Sequence, residues 1–123
     1  HLGKDAASLA AYEKALALWG KDFHLLIAIE ETAELIHALS SAWRKDNSLR
    51  NDDLKANLID EITDVEIILE ALKMQFHLIP AINLKKNYKL ARLQKRVIEE
   101  IDRRNMSEDD NPGSAQGSFD CYD

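Results

Sequence analysis

The chain has little of what a disulfide-stapled, sheet-rich or membrane-spanning protein needs. Its 123 residues include a single cysteine, Cys121, set in a polar C-terminal stretch, so neither an intrachain disulfide framework nor a thiolate metal site can form. Two prolines and four glycines are too few for a protein of many short strands and tight turns. No apolar run approaches the ~20 residues of a membrane span. No signal-peptide pattern opens the chain, which reads as soluble and cytoplasmic. Positive charge is also short: 16 Lys and Arg face 22 Asp and Glu, a net charge of −6. Such a surface repels a nucleic-acid polymer unless its basic residues are segregated.

What the chain has is helix-forming material. Hydrophobic residues make up 46% and charged residues 31%, a composition suited to long amphipathic helices. At this length one domain is expected, able to bury roughly two-thirds of the surface of its unfolded chain. Leu9, Tyr12, Leu16 and Trp19 recur at helical spacing and predict a first helix over 4–19. Gly20 supplies its stop and Asp22 an N-cap for a second helix over 23–44. The polar stretch KDNSLRNDD, residues 45–53, reads as a loop whose closing Asn/Asp run caps a third helix over 54–78. That helix is expected to bury Leu58, Ile62, Val65, Leu69 and Leu72. Pro80 interrupts or restarts the helical path, and a fourth helix over 81–104 follows, with Leu84, Tyr88, Ala91 and Val97 among its apolar positions. The sequence thus predicts an all-α, antiparallel four-helix bundle over residues 1–104 and a polar tail over 105–123, in which Phe119 and Tyr122 are placed to dock on a neighbouring subunit.

Against this pattern stand carboxylates set in apolar rows. Glu31 shares its helical stripe with Ala28, Leu35 and Ala38, and Glu34 lies one turn on, beside Glu30. The third helix repeats the arrangement, with Glu61 between Leu58 and Val65 and Asp64 next to Ile68. The bland reading is a set of solvated acids or helical ion pairs. It meets an obstacle, because no lysine or arginine stands four residues from any of the four, whereas Glu30 and Asp60 add like charge. Gathering such groups without compensation costs several kcal/mol each by rough reckoning, so a cation between the helices is expected. Hard oxygen donors from E-x-x-E and E-x-x-D suit Mg²⁺, or Mn²⁺. A di-iron bundle is the competing metal reading. ELIH, Glu34 to His37, supplies one E-x-x-H, but the matching motif is absent, since position 64 is Asp and neither His24 nor His77 follows a Glu by three. His37 then reads as a residue flanking the ligands.

With IEETAELIHAL and LIDEITDVEIILEAL both on helices, the chain resembles MazG-type members of the all-α nucleoside triphosphate pyrophosphohydrolases, a superfamily that also holds dimeric dUTPases and phosphoribosyl-ATP pyrophosphatases. The pattern E-E-x-x-E, spacer, E-x-x-D is met by Glu30, Glu31 and Glu34, then Glu61 and Asp64, with 26 residues between the pairs. LWG before the second helix and KNYKLARLQKR after the third resemble the flanks of these proteins, so the likeness covers roughly residues 12–96. The resemblance implies Mg²⁺-dependent cleavage of a (deoxy)nucleoside triphosphate to the monophosphate and pyrophosphate. It makes Glu31, Glu34, Glu61 and Asp64 the metal ligands, with Glu30 and Glu34 as candidate catalytic residues. Lys86, Asn87, Lys89 and Arg92 are the candidates for the phosphates, the alternative being a solvated basic face. Trp19 and His24 are candidates for the base, although Trp19 reads first as a staple of the first helix to the core, and relatives often carry Gln in place of His24. A homodimer or homotetramer is implied, and the two-sided helices favour association independently. The rival from another class is a catalytically silent helical oligomer that binds nucleotide or a protein partner.

Overall fold

The computed structural model describes residues 2–110, with side chains over 6–107. The described residues form helices joined by short loops and include no strand: α1 spans Leu2–Trp19, α2 Phe23–Lys45, α3 Asp52–Gln75 and α4 Ile79–Asp110. They fall into two compact units that divide between Ile79 and Pro80. No described helix is long and apolar enough to cross a membrane. Phe119, Cys121 and Tyr122 lie outside the described residues.

The first unit is an α2–α3 hairpin with α1 packed on both of its helices. His24 near the start of α2 meets Gln75 at the end of α3, and the middle of each helix meets the middle of the other, so the two run antiparallel. Their seam is lined by small and branched residues: Ala38, Ser41 and Ala42 from α2, Val65, Ile68 and Ala71 from α3, all buried. Small side chains let the backbones approach, and this turns the core stripe of α3 away from the expected one. Of Leu58, Ile62, Val65, Leu69 and Leu72, only Val65 is buried; Leu58 and Leu72 are half-buried, while Ile62 and Leu69 are 41% and 44% exposed. The stripe that faces α2 passes through Glu61, Val65, Ile68 and Gln75, and so carries a carboxylate inward.

Local chemistry sets the helix ends. Gly20, at φ +90°, closes α1 in the left-handed region that glycine occupies without a Cβ penalty. Asp22 precedes α2 as expected, yet its side chain makes no capping hydrogen bond. Instead, the Gln75 amide donates to the Lys21 carbonyl and ties this corner to α3. Asp46 organises the next loop by accepting from the Ser48 backbone and hydroxyl and from the Asn51 N–H. Asn51 then caps α3 by accepting from the N–H groups of Asp53 and Leu54 at 3.0 and 3.1 Å, two residues earlier than the expected start. At the far end Leu78 N–H donates to Lys73 and His77 N–H to Met74. This is the Schellman pattern, and it stops α3 at Gln75 rather than Leu78 with His77 at φ +55°.

The second unit contains α4 from Pro80 onward. Proline is tolerated in a first turn, where its missing N–H has no helical partner to lose. The helix runs to Asp110, not Arg104. Polarity alone does not end a helix: within this polar stretch Glu100 pairs with Arg103 and Arg104. Leu84, Tyr88 and Val97 are 73%, 63% and 49% exposed, and Ala91 is exposed.

Candidate metal centre

The inward turn of α3 brings Glu61 opposite Glu31, and helical spacing adds Glu34 and Asp64 one turn along on their respective helices. Each of the four offers a carboxylate oxygen, and these oxygens all lie within 4.8 Å of one another. Glu31 and Glu61 are half-buried, Glu34 and Asp64 exposed, so the group forms a cleft with a floor and an open rim. The four expected ligands are therefore gathered at one point.

Two of the four carboxylates carry an oxygen with no partner among the described residues. Glu31 Oε2 and Glu61 Oε2 are buried and have no hydrogen-bond partner, an arrangement that is costly for a carboxylate. Thr32 and Thr63, beside the ligands in sequence, turn their hydroxyls back to donate to the carbonyls of Ala28 and Ile59 at 2.6 and 2.7 Å. Burial raises the Glu31 carboxyl above the usual range, and Glu34, Asp64 and Glu30 add repulsion. Glu61 is raised in the same way, by burial first and then by Glu34, Asp64 and Asp60. Glu34 lies within hydrogen-bonding reach of both, a contact two carboxyl groups can make only by retaining a proton.

The donor set fits a divalent ion. Opposite oxygens in a Mg²⁺ shell are about 4.2 Å apart and in a Ca²⁺ shell about 5 Å, so the spread of the four suits a hard cation with only small movements. It does not suit the di-iron arrangement, because His37 is exposed and not among the converging groups.

The remaining candidates of the first unit stand outside this convergence. Glu30 is exposed on α2, beside the four but outside the convergence. Trp19 is 59% exposed and leans on Phe23, with ring centroids 4.8 Å apart; it is not a core staple. His24 is 2% exposed, its Nδ1 2.6 Å from Gln75 Oε1. Since the Gln75 amide already donates to Lys21, His24 Nδ1 carries the proton. His24 lies seven residues before Glu31, about 10 Å along the helix, and borders a cavity of about 220 Å³ lined by Tyr12, Leu16, Met74, Gln75 and His77 among others. Lys86, Asn87 and Lys89 are exposed on α4 and Arg92 is half-buried. Sequence reasoning missed Gln75 and this cavity, because the contact joins residues 51 apart. The only signal was a Gln closing the stripe that begins at Glu61.

Comparison with known protein families, with curated proteins and with solved structures finds no match to the chain.

Proposed function

We propose that the chain is a divalent-cation-dependent nucleoside triphosphate pyrophosphohydrolase that converts a (d)NTP to the (d)NMP and pyrophosphate, acting as a homo-oligomer in the nucleotide-pool housekeeping of the cell. The observation that carries this reading is the convergence of Glu31, Glu34, Glu61 and Asp64 on one point, with two buried oxygens left without partners. The order and spacing of these residues, E-E-x-x-E then E-x-x-D on two helices, support the same reaction.

Glu31, Glu34, Glu61 and Asp64 would hold Mg²⁺, with Mn²⁺ the alternative. When bound, the ion supplies positive charge to the triphosphate oxygens and makes water a stronger acid. Glu31 and Glu61, rooted in the seam, fix the floor of the site, while exposed Glu34 and Asp64 can adjust. Glu30, exposed beside them, would accept a proton from the attacking water. The cavity beside His24 is smaller than the roughly 300–1,000 Å³ of pockets for drug-sized ligands and matches a heterocyclic base rather than a whole nucleotide. The reading rests on the first unit alone.

The test is pyrophosphate release from a panel of ribo- and deoxyribonucleoside triphosphates with and without Mg²⁺. Turnover is expected with at least one substrate, abolished by chelation and reduced at least a hundredfold in Glu34→Gln and Asp64→Asn. Absence of turnover across the panel, or turnover indifferent to chelation and to both substitutions, would sink the assignment.

A further inference from the structure

We infer that the cavity beside His24 selects a flat ring bearing an amino group, such as adenine or cytosine, over its keto counterpart, because His24 presents a bare ring nitrogen to it. The inference rests on the reading of this cavity as the seat of the base, and names which bases it takes. Every residue that lines the cavity belongs to the first unit.

The state of that nitrogen follows from a chain of three groups. The Lys21 carbonyl can only accept, so it holds the Gln75 side chain with its amide nitrogen toward Lys21 and its Oε1 toward His24. That oxygen can only accept as well. The proton of the neutral imidazole therefore sits on Nδ1, 2.6 Å from Oε1, and Nε2 keeps a lone pair. Among the described residues Nε2 has no hydrogen-bond partner. His24 is 2% exposed, and with its Nδ1 edge turned to Gln75 the other edge of the ring is what lines the cavity. A buried acceptor of this kind is satisfied by a ligand that brings an N–H.

The rest of the lining agrees. Leu9, Leu16, Ala71 and Met74 give it apolar walls, which suit a ring rather than a phosphate or sugar. An apolar cavity of about 150 Å³ takes up benzene, so one of about 220 Å³ accommodates a six-membered ring with a substituent or a fused second ring. Exposed Glu13 adds a second acceptor. A keto base also has a ring N–H, but carbonyl oxygens flank it and would be set against these two acceptors. Tyr12 keeps its proton, because burial and then Glu70 raise it; its hydroxyl, like the imidazole of exposed His77, serves amino and keto groups alike.

The test is an NMR titration of the full chain, in chelator and at about pH 8, above the titration range of an ordinary imidazole. The probes are 9-methyladenine against 9-methylhypoxanthine and 1-methylcytosine against 1-methyluracil, the methyl group standing where the sugar is attached. Each amino ring should bind at least about tenfold more tightly than its keto partner, the loss expected when a buried acceptor goes without its donor. The ring nitrogens of His24 should show Nδ1 protonated and Nε2 bare in the free chain, with the Nε2 signal moving upfield as 9-methyladenine binds. His24→Phe keeps a ring in place but removes the acceptor, and should level each pair. Equal affinity within the pairs, no binding by any of the four, or a proton on Nε2 in the free chain would overturn the inference. If His24→Phe does not fold, the wild-type pairs and the Nε2 signal decide. With neither metal nor phosphate present, this result and the pyrophosphohydrolase reading fail separately: amino selectivity without turnover of any triphosphate removes the reaction alone, whereas turnover with no such selectivity removes this inference alone.

Discussion

Glu61 shows at the scale of one residue why a carboxylate on a core-facing stripe behaves unlike one on a surface. Its raised carboxyl holds a proton in the folded chain to higher pH than in the unfolded chain. The stability this contributes is fully present below the ordinary value of 4.5 and is lost as pH rises through the folded value. In chelator, therefore, Glu61→Gln should melt above the wild type at neutral pH, with the gap closing toward pH 4. A constant gap across that range in thermal unfolding would refute the account. Gln75 makes the converse point, because it satisfies both buried His24 and the Lys21 carbonyl. Gln75→Leu orphans both and should cost about 1–3 kcal/mol, read from the urea midpoint. The carboxylates were legible in the sequence because four acids without helical cations contradict an apolar pattern. Gln75 was not, since nothing local distinguishes a glutamine that bonds to a distant corner of the fold from one in water.

The lesson of the elements lies in their ends and their rotation. Periodicity located all four helices, and Asn51 capped where turn formers clustered, but the end of α3 rests on a Schellman pattern with histidine in the position that glycine usually fills. An L-residue in the left-handed region costs about 1–2 kcal/mol, and exposed His77 has little packing to lose. His77→Gly should therefore raise stability by about 1 kcal/mol, whereas Ala at the same place should not; equal midpoints for the two variants in chemical denaturation would contradict this. The register of α3 was beyond the pattern because several apolar rows on that helix are equally plausible until Ala38, Ala42 and Ala71 decide how closely the backbones approach. That rotation is also what carries Glu61 inward.

At the scale of the molecule, the buried residues among those described are few and mostly small, and many of the larger apolar side chains are exposed. The fold class was legible from composition, but the division into two units at Pro80 was not, because a proline in a helical first turn reads the same in sequence whether the chain continues in one body or begins another. If the acidic cleft is a metal site, binding should stabilise the whole first unit. At a hundredfold excess over Kd the gain is about 2.7 kcal/mol, enough to raise Tm by roughly 4–8 °C per kcal/mol in a domain of this size. The most direct test of the central claim is Mn²⁺ binding followed by electron paramagnetic resonance on the metal-free chain. The account predicts one ion held per chain, displaced by Mg²⁺ and lost in Glu34→Gln and Asp64→Asn, while binding no stronger than in those variants would contradict it.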